Sequence, residues 1–499
     1  MRRVAISTTV ACTLVSVTSA ALYDTVIQTK YGGVQGYPAF NSTNTGNLTH
    51  WKDITVWKGI PFAATTGGQN RWKAPQPASP WNGTLDARNW GPVCPSATSV
   101  RQIPPMLRLP VVMWSYPAES TAADALFDGG GMADQGIVFV NYNYRTGAFG
   151  WLAYPELSAE FEKVTGSNSS GNWGMLDQFA ALKWIHANID AFGGDPDHIT
   201  VMGQSAGSAA SQHILNSKLT KGLFVGAIIE SGVRDPEDPL CTSLAEGYAT
   251  QSDALETGQN YLAKLNVSSI AEARKLTMQQ VIDGASGSSR EDTIMFKATL
   301  DYYAMHDTYW NTLVKGLAND VPVLTGNTKD ESGATYGLNI SLEEYLSDVN
   351  ETYSGVWVER FLELYPANDS TTASGAYNSM FTDRSKIGTW LWSQLWATAR
   401  KSPSSGAYHE SEINHVLNNL YATDKPWTAE DYTIAKIMNH YWANFIKTGN
   451  PNGDGLVSWP AVNSSELVQH VGDGWGQIRV AWSKKVELFK NWFPTLEKY

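Results

Sequence analysis

The run His198-Ile199-Thr200-Val201-Met202-Gly203-Gln204-Ser205-Ala206-Gly207-Ser208-Ala209-Ala210 constrains this chain more than any other segment. A β-branched stretch enters a Gly-x-Ser-x-Gly pattern, and small helix-tolerant residues follow. That order predicts a strand, a sharp turn and a helix, with Ser205 at the apex. So tight a turn leaves no room for side chains at Gly203 and Gly207, which would strike the neighbouring strand and helix. The serine is then presented at the carboxyl edge of a sheet, with a helix N-terminus beneath it.

Apolar runs of the kind that form buried parallel strands recur along the chain. They are Val111-Val112-Met113-Trp114, Ile137-Val138-Phe139-Val140, Ile199-Thr200-Val201-Met202, Ala227-Ile228-Ile229 and Val321-Pro322-Val323-Leu324. Residues 175–192 show helical spacing, and Phe192-Gly193-Gly194-Asp195-Pro196 stops it. Such alternation predicts an α/β fold, a doubly wound and mostly parallel sheet with ligands at the carboxyl ends of its strands. From about Cys241 to Asp320, and again from Ser341 to Lys401, the pattern is mainly helical and reads as cap insertions around the mouth of the site. One catalytic domain over residues 21–499 is expected.

The N-terminus reads as a secretory signal over residues 1–20. Arg2 and Arg3 precede an apolar stretch over 4–17, and Thr18-Ser19-Ala20 forms a cleavage site. The stretch is short and broken by Thr and Ser, unlike a membrane anchor, and no other segment is apolar enough to span a bilayer. A secreted, extracellular protein is expected. Asn-x-Ser/Thr acceptors at Asn41, Asn47, Asn82, Asn168, Asn266, Asn339, Asn350, Asn368 and Asn463 predict a glycoprotein. Cys12 leaves with the signal, so Cys94 and Cys241 either pair or have each lost a partner. A formal net charge of −12 argues against nucleic acid or an anionic membrane as partner. No clustered His/Cys/carboxylate spacing suggests a metal, and no cofactor is implied.

A serine hydroxyl attacks only when a histidine takes its proton, and that histidine needs a carboxylate to fix its tautomer. In α/β-hydrolase folds the three arrive in the order serine, acid, histidine. Asp330 and Glu331 stand just beyond the strand predicted at 321–324, and the residues alone leave both open. Four histidines follow the acid. They are His409, His415, His440 and His470, of which His440 falls mid-helix, where it reads as packing. His409 lies in a Gly/Ser-flanked loop and is preferred to His415. His213 sits eight residues along the helix behind Ser205, about 12 Å away and too far to act.

At this point the residues resemble the type-B carboxylesterase/lipase group, which includes cholinesterases and secreted fungal esterases. The resemblance rests on Trp57-Lys58-Gly59-Ile60-Pro61-Phe62-Ala63, on Asn143-Tyr144-Arg145-Thr146-Gly147-Ala148-Phe149-Gly150 and on Gly171-Asn172-Trp173-Gly174-Met175-Leu176-Asp177-Gln178. It extends through the turn at Ser205 to Tyr441-Trp442-Ala443-Asn444-Phe445 and Thr448-Gly449-Asn450-Pro451-Asn452. It implies an α/β-hydrolase fold and a triad of Ser205, Glu331 and His409, the last in His409-Glu410-Ser411-Glu412-Ile413. It further implies an oxyanion-hole N–H from Ala206 and a supporting role behind the histidine for Ser231. The implied activity is hydrolysis of a small-molecule or lipid-like ester through an acyl-enzyme.

Departures from the family pattern set up an alternative. Relatives carry a glycine-rich loop after the strand at 111–114, whereas here Ser115-Tyr116-Pro117-Ala118-Glu119-Ser120 follows, with a proline that cannot donate. Gly129-Gly130-Gly131 stands where relatives begin the next helix and is rejected as the hole. A Ser-Glu-Asp-Cys-Leu segment after Cys94 and a strand before His409 are also absent. Losing one oxyanion donor costs on the order of 10²–10³ in rate, so the alternative is a catalytically impaired homologue with a binding role.

Overall fold

The computed structural model describes residues 21–499 except 42–44, 46, 96–110, 116–121, 123, 240–244, 246, 288, 290–291, 330, 332–338, 400–411, 424, 464, 473 and 499. The expected signal at 1–20, Cys241, Asp330 and His409 lie outside the described residues.

Five short strands open the fold: β1 (Val26–Gln28), β2 (Gly33–Gln35), β3 (Tyr37–Pro38), β4 (Thr55–Val56) and β5 (Thr84–Asp86). The order β1-β2-β5 makes a three-stranded sheet, and β3 pairs with β4. The central sheet comprises β6 (Val111–Ser115), β7 (Val138–Asn141), β8 (Ile199–Gln204), β9 (Gly226–Glu230) and β10 (Val323–Gly326). It runs in the order β10-β9-β8-β6-β7 with every pairing parallel. The last strand begins two residues later than its apolar run suggests, because Pro322 has no N–H to donate. Its carbonyl still accepts from the Ala227 N–H at 2.9 Å.

Apolar residues occupy both faces of these strands, which is why they read as unbroken runs. On one face Met113, Val138, Val201, Ala227, Ile229 and Val323 share a core with α4 (Trp173–Asn188) and α5 (Ala206–Asn216). On the other, Met202, Ile228 and Leu324 pack with α1 (Gly130–Asp134), α13 (Ile413–Val416) and α14 (Ala429–Thr448). Helices thus cover both sides of a parallel sheet. Between α1 and α4 lie α2 (Gly147–Trp151) and α3 (Pro155–Thr165).

Two helical insertions complete the molecule. After β9 come α6 (Gln251–Lys264), α7 (Ile270–Ala273), α8 (Met278–Ala285) and α9 (Tyr309–Lys315). After β10 come α10 (Leu342–Thr352), α11 (Val356–Leu364) and α12 (Ser370–Ala399), which with α15 (Ser483–Trp492) enclose a separate apolar cluster. A ribbon of β11 (Leu467–His470) and β12 (Gly476–Arg479) precedes α15. Many of the tryptophans are core: Trp72, Trp173, Trp396, Trp442, Trp459 and Trp492 are essentially inaccessible. Among the described residues no helix is long and apolar enough to cross a membrane.

Candidate active site

Ser205 stands between β8 and α5 with φ 53° and ψ −119°, a left-handed conformation that side chains rarely adopt. The turn is held on every side. Its N–H donates to the Glu230 carbonyl at 3.0 Å, across the strand pair. Its own carbonyl accepts from the backbone N–H of Ser208 at 2.9 Å, that of Ala209 at 3.1 Å and the Ser208 hydroxyl at 2.5 Å. A Cβ on Gly203 would run into the Gly207 carbonyl, the clash that the glycine spacing implied. Residues 201–204, 207 and 208 are buried, whereas Ser205 and Ala206 remain half-exposed.

Ala206 is the first residue of α5, so helix geometry leaves its N–H without an intrahelical acceptor. That amide and the positive end of the helix dipole lie beside Ser205. The strand beside β8 on its other side is β6, whose Ser115 is in register with Gly203 and leads into the segment that departs from the family pattern. That segment, 116–121, lies outside the described residues. The rejected Gly129-Gly130-Gly131 is accounted for by packing. Added side chains there would meet the Phe139 ring, the Tyr421 hydroxyl and the Leu417 carbonyl.

Glu331 follows β10, two strands from Ser205 at the same sheet edge. Two strand spacings are about 10 Å, a gap that an imidazole can bridge. Its N–H donates to the Thr382 hydroxyl on α12 at 3.2 Å, and its Oε1 accepts from the Thr328 N–H at 2.7 Å. Ser231 continues the line of strand ends: its φ is 50°, it is fully buried, and its N–H donates to the Gly326 carbonyl at 2.8 Å.

The other histidines have occupations of their own. His213 is buried and hydrogen-bonded to the Tyr309 hydroxyl, and burial lowers its pKa to about 3. His415 lies 3.4 Å from the Asp431 carboxylate, with Trp427 edge-on to its ring. His440 sits on α14, as its spacing predicted, with its pKa lowered by burial and by Lys436 and Lys447. His470 ends β11. Cys94 Sγ accepts from the Thr146 N–H at 3.3 Å, and burial raises its pKa. No cluster of three or more metal-ligating side chains occurs among the described residues.

Beneath the elbow lies a residue that sequence reasoning passed over. Glu230, at the tip of β9, is buried, and its Oε1 accepts from the Trp442 indole N–H of α14 at 2.7 Å. Burial pushes its pKa up to about 8. The available signal was a carboxylate closing an apolar strand run.

This arrangement defines an α/β-hydrolase, and solved structures agree. The structure of a PNB esterase superimposes with a TM-score of 0.73 at 26% identity, covering 93% of this chain and 99% of the other. The Carboxylesterase family profile matches residues 23–108, 104–387 and 343–473, and the chain belongs to that family. The para-nitrobenzyl esterase of Bacillus subtilis (strain 168) is 30% identical over 485 residues, 87% of this chain and 92% of its own length. The fumonisin B1 esterase of Sphingopyxis macrogoltabida is 30% identical over 456 residues, 82% and 81% of the two chains. The protein is a carboxylesterase, an enzyme acting on ester bonds.

Proposed function

We propose that this protein is a secreted serine carboxylesterase that hydrolyses small carboxylic esters through an acyl-enzyme. The observation that carries the reading is the strained elbow, which holds Ser205 at the end of β8 with the Ala206 amide opening α5 beside it. Ser205 Oγ attacks the ester carbonyl as His409 removes its proton. The developing oxyanion is met by the Ala206 N–H. Collapse of the adduct expels the alcohol, which takes the proton from His409. Water, deprotonated in turn by His409, then frees the acid and restores Ser205. Glu331, two strands away along the same edge, orients His409 and stabilises its cationic form.

Hydrolysis of a short-chain p-nitrophenyl ester, compared between wild type and Ser205→Ala, tests this. Turnover that disappears in the variant is expected. Equal, near-background rates in the two proteins would overturn it.

Secretion is supported by the glycosylation acceptors, since all nine asparagines are exposed. Protein recovered from culture medium should begin at Ala21 and lose mass on treatment with an N-glycosidase. An unprocessed N-terminus with no mass change would contradict this part of the proposal.

A further inference from the structure

The tip of β9 is a shared post for the site. The Glu230 carbonyl holds the Ser205 N–H, and the next residue, Ser231, binds Gly326 on β10. Glu230 is also the in-register neighbour of Gln204. What anchors the post from outside the sheet is its side chain, joined at 2.7 Å to Trp442, and both residues are almost wholly buried. Glu230 Oε2 and the amide atoms of Gln204 have no hydrogen-bond partner among the described residues, so Trp442 is the polar contact that fixes this carboxyl.

We propose that Glu230 is a positioning residue for the nucleophile, pinning the tip of β9 to α14 through Trp442 so that its carbonyl keeps the Ser205 N–H in the strained elbow. A conformation at positive φ persists only where its surroundings over-determine it, and this hydrogen bond reaches Ser205 from outside its own turn. Burial raises the carboxyl's pKa and so favours its neutral form, in which an oxygen still accepts from the Trp442 N–H. A neutral amide can therefore replace it. The idea rests on the reading of Ser205 as nucleophile.

The test compares Glu230→Leu, Trp442→Phe and Glu230→Gln by ester turnover, by the rate at which a fluorophosphonate labels Ser205, and by hydrogen exchange at the Ser205 and Ala206 amides. Glu230→Leu and Trp442→Phe should lower kcat and labelling by up to the order of 10²-fold, as a small misplacement of a reacting group does, with KM little changed. Both should speed exchange at the elbow, and Glu230→Gln should recover most of the lost rate. Should Glu230→Leu fail to fold, Trp442→Phe carries the same comparison. Unchanged labelling and exchange in Trp442→Phe, or a Glu230→Gln as damaged as Glu230→Leu, would overturn the proposal. If wild type itself neither labels nor turns over, the nucleophile reading fails, and elbow exchange alone still decides whether Glu230 holds the turn.

Discussion

At the scale of single residues, the site is made by backbone conformations that its sequence tolerates poorly. Ser205 and Ser231 both adopt positive φ, and each is held by a main-chain bond to the next strand. Glycine matters where the chain closes on itself, at Gly203 against the Gly207 carbonyl. Gly203→Ala should therefore cost about 1–3 kcal/mol of stability, the range for overpacking a tight contact, read as a lowered urea midpoint. It should also slow labelling of Ser205, because relief of the clash must move the elbow. An unchanged midpoint would show that the turn has slack.

At the scale of elements, the segment 417–421 is docked on the turn that leads into α1 and on α1 itself. The Asn419 side-chain amide donates to the Leu126 and Asp128 carbonyls at 3.1 and 2.8 Å, and the Tyr421 hydroxyl donates to Asp128 Oδ1 at 2.6 Å. Gly131 lets the Leu417 carbonyl approach. Burial raises the Asp128 pKa from 3.8 to about 7, against the opposing pull of Tyr421, the Gly130 amide and Lys58. The folded protein thus binds this proton more tightly than the unfolded chain does. The associated stabilisation is full below pH 3.8, shrinks as pH rises and is lost through about pH 7. The stability of wild type minus that of Asp128→Asn should fall over this window, with a slope of at most about 1.4 kcal/mol per pH unit. Denaturant unfolding across pH 4–7 measures it, and a flat difference would mean that Asp128 is not taken up protonated.

At the scale of the whole molecule, a buried ion pair ties the second helical insertion to the loop after β9. Arg384 on α12 bonds Asp238, in the loop after β9, at 2.6 and 2.8 Å, with the Trp492 ring of α15 beneath its guanidinium. Removing one partner leaves a buried charge alone, so Arg384→Leu should destabilise by about 3–5 kcal/mol. Arg384→Leu combined with Asp238→Leu should recover part of this in thermal unfolding. A double variant as unstable as the sum of the singles would show that the two residues act separately. Arg145 and Asp177 form a comparable pair at 2.7 Å within two of the sequence motifs. The Arg145 carbonyl also occupies the space that side chains at Gly150 and Gly174 would need. Those motifs are therefore packing devices that shape the fold around the site.

The sequence by itself determined the central strands, the helices flanking them and the elbow, because each depends on local pattern. Val201 and Met202 face opposite cores, so a buried parallel strand reads as one apolar run, and Gly203 and Gly207 answer to a clash within a single turn. Ser205 at that turn and Glu331 just beyond a later strand stand where the same local patterns place them. Tertiary structure decided what depends on residues distant in the chain. It turned His213 toward Tyr309 and His415 toward Asp431, and it set Gly129-Gly130-Gly131 against the segment 417–421. Above all it buried Glu230 against Trp442, a contact across 212 positions. Spacing in the sequence carries no trace of that contact, because burial and hydrogen bonding there are set by how α14 lies across the sheet.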